Sequence, residues 1–318
     1  MSHSLGLLFP GQGAQDVGMG RDFAERSPAA AALFRLADEV LELPLSKICF
    51  EGPMEELTAT DIAQPAIYTC SLAALAAFAE SSDEDIIPAC AAGLSLGEYT
   101  ALAAAGAVSF EDGLRLVRLR GAAMQEASEA KPSGMASVMG LDREGLDQVC
   151  AQLAAESGTI LQVANLNSPG QIVVSGENAA LDLLESKGKE LGIRRARRLA
   201  VAGAFHSEVM RPASERLAEA LADTPFETPR CPVWQNATAE AATDPEVLKQ
   251  HLIAQLCAPV LWEESFRNMA AANSGLGFLE PAPGKVLAAL ARKIVPDAVV
   301  HGLPTADDID ALLPVLGS

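Results

Sequence analysis

The feature that most constrains this chain is Gly93-Leu94-Ser95-Leu96-Gly97, set between an apolar run and a helical pattern. Ile86, Ile87, Ala89, Cys90, Ala91 and Ala92 read as a buried strand, and Glu98–Ala105 as a helix that stops at Gly106. Strand, tight turn and helix in that order belong to an α/β fold. In that setting the G-x-S-x-G form has a mechanical meaning. The strained turn projects the serine hydroxyl outward, the flanking glycines keep side chains out, and the amide after the serine can stabilise an oxyanion. A Gly- and Ala-rich chain can also produce the five letters by chance; the strand–turn–helix context separates the two cases.

With 318 residues, 49% of them hydrophobic, the chain can bury a large core in one big domain or two unequal ones. Aromatics make up only 4%, so Ala, Leu and Val build that core. A net charge of −19 argues against nucleic acid and anionic membranes as partners. The six cysteines are scattered, with no C-x-x-C pair, and are expected to be buried thiols in a reducing cytoplasm. No basic segment precedes the first apolar residues, and no uninterrupted apolar run spans a bilayer, so a soluble, cytoplasmic protein is expected.

Leu5–Phe9 reads as a strand ending at Pro10, followed by the loop Gly11-Gln12-Gly13-Ala14-Gln15 and a helix around Asp22–Ala31. The loop lacks the Lys-Ser/Thr of a P-loop and the third glycine of a dinucleotide fingerprint, so it is better suited to holding an oxyanion. Helical patterning covers Pro28–Val40 and Pro65–Glu80, and Ser81–Glu84 forms a polar break. Ser109 and Asp112 begin another helix with capping-box spacing. At about 100° per residue, Arg120 falls in the centre of an apolar face made by Leu116, Val117, Ala123 and Met124. Arg115 and Arg118 fall on the opposite side, where solvent is the natural partner. A guanidinium in an apolar stripe needs an anion or a wet cavity. A structural ion pair would satisfy it; so would a substrate carboxylate, which fits arginine's fork.

Glu129–Gly134 is a compositional joint, after which the element order changes. Met135–Gly140, Ile160–Asn165, Gln171–Ser175 and Arg194–Val201 read as strands, with a turn at Asn167-Ser168-Pro169-Gly170. Arg143–Glu156 and Asn178–Leu191 read as helices. This β-α-β-β-α-β order is the ferredoxin-like unit, placed as an insertion because catalytic-looking residues flank it on both sides. Beyond it come a loop at Gly203–Ser207, a helix over Glu208–Ala222, a strand at Pro232–Trp234, a helix over Pro245–Leu256 and a strand at Gly277–Glu280. Of the four histidines, His206 is the best candidate to take a proton from Ser95, since it opens a helix after an apolar strand. No acidic residue stands out as a third partner.

Taken together, Phe9-Pro10-Gly11-Gln12-Gly13, Gly93–Tyr99, Arg118-Leu119-Arg120-Gly121, Asn165–Gln171, Phe205-His206-Ser207, Gln255-Leu256 and Glu280–Lys285 carry a likeness. Over nearly its whole length the chain resembles the malonyl-CoA:acyl carrier protein transacylases. The resemblance implies an α/β-hydrolase-like large domain, 1–130 and 202–318, with an inserted ferredoxin-like (βαββαβ) small domain at 131–201. It implies Ser95 as nucleophile, His206 as its base, and the main-chain carbonyl of Gln255 as the group that orients the histidine. Gln12 and Leu96 would supply oxyanion-hole amides, Arg120 would pair with the malonyl carboxylate, and Asn167 would line the cleft. Malonyl-CoA and an acyl carrier protein are the implied partners, the expected state is a monomer, and no metal or redox cofactor is needed. Leu96 and Phe205 look like the malonyl-type forms of the family's specificity motifs.

Two positions depart from the family pattern: Leu94 where a histidine usually precedes the serine, and Ala282 for the first glycine of Gly-Pro-Gly-Lys. Arg194, Arg195, Arg197 and Arg198 form a basic cluster in an acidic chain, either a solvated strand edge or a docking patch for an acidic carrier protein or CoA phosphates. Other functions remain open at this level. They are a serine esterase or thioesterase, a non-catalytic subunit, a trans-acting acyltransferase for a polyketide synthase, and a loading enzyme for malonate decarboxylase.

Overall fold

The computed structural model describes residues 3–82 and 86–316. The alternation and apolar runs produce ten strands, β1 (His3–Phe9), β2 (Ile86–Gly93), β3 (Ser133–Met139), β4 (Leu161–Ser168), β5 (Gln171–Glu177), β6 (Arg195–Arg198), β7 (Val233–Trp234), β8 (Ala241–Ala242), β9 (Phe278–Pro281) and β10 (Val300–Leu303). Six form one sheet in the order β10-β9-β1-β2-β7-β8, parallel except where β8 runs against β7. β1 and β2 are nearly pure apolar runs because helices cover both faces of a parallel sheet. Their ends align, with Phe9 opposite Gly93, so the glycine-rich loop and the serine turn leave the sheet side by side.

The other four strands form an antiparallel sheet, β4-β5-β3-β6. Pro169-Gly170 closes the β4–β5 hairpin, with Gly170 at φ +74°, a value that suits glycine. Helices Arg143–Ser157 and Asn178–Lys187 cover one face, burying Ala136, Val138, Val163 and Val174 against Leu146, Leu153, Leu181 and Leu184. The pleat sends Met135, Ala164 and Val173 the other way, into the core of the six-stranded part. Val260 fastens the two sheets: its N–H donates to Ala164 O at 2.8 Å, and its carbonyl accepts from Leu166 N at 2.9 Å.

The helical layer is centred on Thr60–Ser81, packed between Pro28–Leu41 and Phe110–Ala130. This helix starts before Pro65, the residue expected to open it. Pro65 has no N–H to give the Asp61 carbonyl, and Arg118 Nη1 takes that oxygen at 2.5 Å and Asp61 Oδ2 at 2.6 Å. Arg118 is therefore half-buried and ion-paired, not turned to solvent as its place on the helix suggested. By length and composition the same helix could cross a bilayer, yet most of it lies inside the protein. Two of its buried polar side chains are used there: Gln64 bonds Arg120, and Ser71 Oγ donates to Ala282 O. Gly121 lets the two long helices touch, since a Cβ there would come within 2.6 Å of Thr60 O.

Other boundaries moved for local reasons. The 22–31 region is two helices, Arg21–Arg26 and Pro28–Leu41, because Ser27 leaves the helical conformation and caps the second through Ala30 N. The helix expected over 178–191 ends at Lys187 in a series of turns, and the strand expected over 194–201 keeps only Arg195–Arg198. The segment expected as one helix from Glu208 begins as a 3₁₀ turn, Glu208–Met210, and continues as Arg211–Asp223. Part of the polar break at 81–84 lies outside the described residues. Helices Leu45–Glu51, Met54–Thr58, Trp262–Ala272, Val286–Ile294 and Asp308–Leu316, with β8 and β10, complete the fold beyond what the sequence suggested.

Candidate active site

The serine turn is tightly built. Leu94 N donates to Phe9 O at 3.0 Å, and Ser95 is held at φ +53°, a conformation that costs a non-glycine residue energy and aims its side chain off the sheet edge. A Cβ on Gly97 would lie 2.1 Å from Phe9 O, and one on Gly93 would lie 1.9 Å from the Gly97 carbonyl, so only glycine fits at either place. Asn236, just after β7, pins the turn: its Nδ2 donates to Gly93 O at 2.7 Å and its Oδ1 accepts from Ser95 N at 2.6 Å.

His206 comes from the loop that leaves the small sheet. It is buried, at φ +57°, and its Nε2 lies 2.8 Å from Ser95 Oγ. Its Nδ1 lies 2.8 Å from Gln255 O, at the end of helix Pro245–Gln255. A carbonyl can only accept, so the Nδ1 nitrogen carries the hydrogen and Nε2 is left to receive the serine proton. No third side chain is required. Burial, reinforced by the nearby Arg120 charge, pushes the imidazole down to about 4 against the opposing pull of the Gln255 carbonyl. A base that stays neutral to that pH predicts a specific profile. Reactivity of Ser95 should stay level as pH falls through 6.5 and drop only near pH 4, where the imidazolium forms. A half-point near 6.5 in the kcat/KM profile would show that His206 titrates as an exposed histidine.

Arg120 meets the same two residues. Its side chain is 1% exposed; Nη1 donates to Gln64 Oε1 at 2.7 Å, and Nη2 donates to Ser95 Oγ at 3.0 Å and to Gln255 Oε1 at 2.9 Å. The Tyr99 ring lies 5.4 Å from its guanidinium carbon. Burial lowers its proton affinity, but an arginine at neutral pH remains a cation. Among the described residues it makes no ion pair. A buried cation bonded only to neutral oxygens lacks its natural partner, and a cleft of about 220 Å³ opens over it.

Gln12, Leu94, Ser95, Asn167 and His206 line that cleft with Arg120. Asn167 Oδ1 is buried without a hydrogen bond among the described residues, an acceptor available to a ligand. Among the described residues, no acceptor takes the backbone amides of Gln12 or Leu96, as an oxyanion-binding pair requires. Leu94, at the position of the family's usual histidine, makes part of the wall apolar. Ala282 is buried, its carbonyl held by Ser71, outside the cleft lining. No group of three or more His, Cys, Asp or Glu residues could hold a metal ion among the described residues. In the basic cluster, Arg198 is half-buried and paired with Asp182 and Glu185. Arg195 and Arg197 are exposed along β6, the edge strand, and Arg194 is exposed just before it.

The sequence brought Ser95, His206, Gln255 and Arg120 forward, and they meet in one place. Gln64, Asn236 and the carboxylate of Glu98 belong to the same network and were not singled out. Glu98 could have drawn notice as a carboxylate in an otherwise apolar helix; Gln64 and Asn236 carry no local pattern.

Residues 7–307 match the family model described as the acyl transferase domain. The chain belongs to that family. It is 47% identical over 290 residues to a malonyl CoA-acyl carrier protein transacylase of Bacillus subtilis (strain 168), covering 91% of this chain and 90% of the relative. An acyl-carrier-protein-S-malonyltransferase from Bartonella henselae superposes with a TM-score of 0.91 at 37% identity, covering 100% of both chains. A malonyl-transacylase solved with a type II polyketide acyl-carrier protein superposes at 0.91 with 36% identity, over 99% of this chain and 100% of that one.

Proposed function

We propose that this acyltransferase moves a malonyl group from malonyl-CoA to the phosphopantetheine thiol of an acyl carrier protein, in fatty acid synthesis. The observation that carries the substrate is Arg120, a buried cation with neutral partners, one hydrogen bond from the nucleophile. Malonyl places its free carboxylate one methylene from the thioester carbonyl, so an acyl group whose carboxylate reaches Arg120 brings its carbonyl carbon to Ser95 Oγ. Acetyl leaves the guanidinium unpaired.

In the first half-reaction, Ser95 Oγ attacks the thioester carbon as His206 Nε2 accepts its proton. The Gln12 and Leu96 amides hold the oxyanion, the C–S bond breaks, and the proton passes to the departing CoA thiolate. The second half runs in reverse, with the carrier's thiol giving its proton to His206 and attacking the malonyl-serine ester. Arg120 holds the carboxylate throughout, and Asn167 Oδ1 is an acceptor for a donor on the incoming substrate. The parallel sheet carrying a serine turn supports a hydrolase-like domain formed by 1–130 and 202–318. The β4-β5-β3-β6 order supports a ferredoxin-like insertion over 131–201.

The test is intact-mass spectrometry after malonyl-CoA and then holo carrier protein are added in turn. The expected sequence is gain of one malonyl group by the enzyme and its loss to the carrier. Free malonate released with no transfer would mark a thioesterase instead.

A further inference from the structure

We propose that Glu98 is the positioning residue of this site, setting nucleophile, base and cation together through one carboxylate oxygen. Its Oε2 accepts from Gln255 Nε2 at 3.0 Å and from Asn236 N at 2.8 Å. Each of those residues faces the chemistry with its other groups. Gln255 offers its main-chain carbonyl to His206 and its Oε1 to Arg120, while its Nε2 also donates to Ser95 O at 3.0 Å. Asn236 holds Ser95 N and Gly93 O.

The direction of the Gln255 amide makes the arrangement specific. An amide has an accepting end and a donating end, and here the accepting end meets a guanidinium and the donating end meets a carboxylate. Turned over, it would set N–H against Arg120 and oxygen against Glu98, losing bonds at both ends. Glu98 therefore selects the orientation in which Arg120 is held beside Ser95. Glu98 is fully buried, and its other oxygen, Oε1, has no partner among the described residues. A core carboxylate used on one oxygen only is poorly explained by stability alone. Burial pushes its carboxyl up to about 7, while the Asn236 and Gln255 donors and the Arg120 charge pull it back. Either protonation state keeps an oxygen for the two donors, so position rather than charge is the property that matters.

Glu98→Gln and Glu98→Asp separate the two. Glutamine keeps an oxygen at the Oε2 place and puts its NH2 where the unpartnered oxygen stood; aspartate keeps the charge and withdraws the oxygen by a methylene. This inference rests on the transfer reading, so each variant is assayed two ways. One is labelling of Ser95 by a fluorophosphonate, which displaces fluoride as His206 takes the proton and involves no malonyl group. The other is kcat and KM with malonyl-CoA against acetyl-CoA. Glu98→Gln should stay within about threefold of wild type in both, while Glu98→Asp should label about 30-fold more slowly and lose much of its malonyl preference. If Glu98→Asp fails to fold, Glu98→Leu, uncharged and without an acceptor, should behave as predicted for aspartate. Aspartate or leucine within threefold of wild type overturns the proposal, and so does glutamine falling as far as aspartate, which would make charge the operative property. A wild type that labels rapidly but takes no malonyl group overturns the transfer reading alone.

Discussion

Ser95→Ala should take up no malonyl group from malonyl-CoA, and transfer to the carrier should fall by about 10⁴-fold or more, the loss expected when a covalent nucleophile is removed. The geometry leaves no substitute. His206 Nε2 and Arg120 Nη2 both point at Ser95 Oγ. Among the described residues lining the cleft, the only other hydroxyl is that of Thr58, and it donates to Met54 O. The six cysteines are buried, and burial raises the thiols of Cys49, Cys70, Cys90, Cys150, Cys231 and Cys257, so none offers a thiolate at neutral pH. The substitution should leave the fold intact. Alanine at φ +53° is no more strained than serine, and the Ser95 N–H to Asn236 and carbonyl to Gln255 are backbone bonds that alanine keeps. Intact mass and thermal melting together check this: an unchanged melt with no adduct is expected. A malonyl adduct on the alanine variant would place the nucleophile elsewhere.

The parts of this site that the sequence made legible share a property: each sits in a local pattern that has a physical consequence. Gly93 and Gly97 bracket a turn that admits no Cβ, and Arg120 interrupts an apolar helical face. The polar residues that join these parts have no such pattern. Gln64 and Asn236 are buried amides from distant segments whose bonds exist only after the sheet and helices have packed, and Gln255, a third, was brought forward by the family resemblance alone. The same limit applies to the fold. The strands β1, β2, β3, β4 and β5 were visible as apolar runs or alternations bounded by turns. The short strand β7 was legible at Pro232–Trp234, whereas β8 borrows its conformation from β7 and carries no pattern of its own. Arg118 shows the limit at a single residue. Helical periodicity placed it toward water, but the carbonyl freed by Pro65 on a neighbouring helix gave it a half-buried partner.

Arg120→Ala should remove the preference for malonyl over acetyl while leaving Ser95 able to be acylated. The guanidinium's hydrogen bonds to a carboxylate are charge-assisted and made in a buried, low-dielectric site. Two of them contribute roughly 4 kcal/mol, or about 10³-fold in kcat/KM for malonyl-CoA. Acetyl-CoA gains nothing from the arginine. Its reaction is instead opposed by having to leave a buried cation unpaired next to the acyl group, so kcat/KM for acetyl-CoA should hold or rise in the variant. The ratio of the two specificity constants is the measurement, because it cancels any loss of active protein. That cancellation matters here: Arg120 also bonds Gln64 and Gln255, and removing it opens space between helices Thr60–Ser81 and Phe110–Ala130. Arg120→Lys should give an intermediate ratio, since an ammonium keeps the charge but cannot hold Gln64, Gln255 and a carboxylate with one planar fork. A ratio that stays within about threefold of wild type in the alanine variant would mean the carboxylate binds elsewhere. The guanidinium would then be a structural cation, held by Gln64, Gln255 and the field of Glu98.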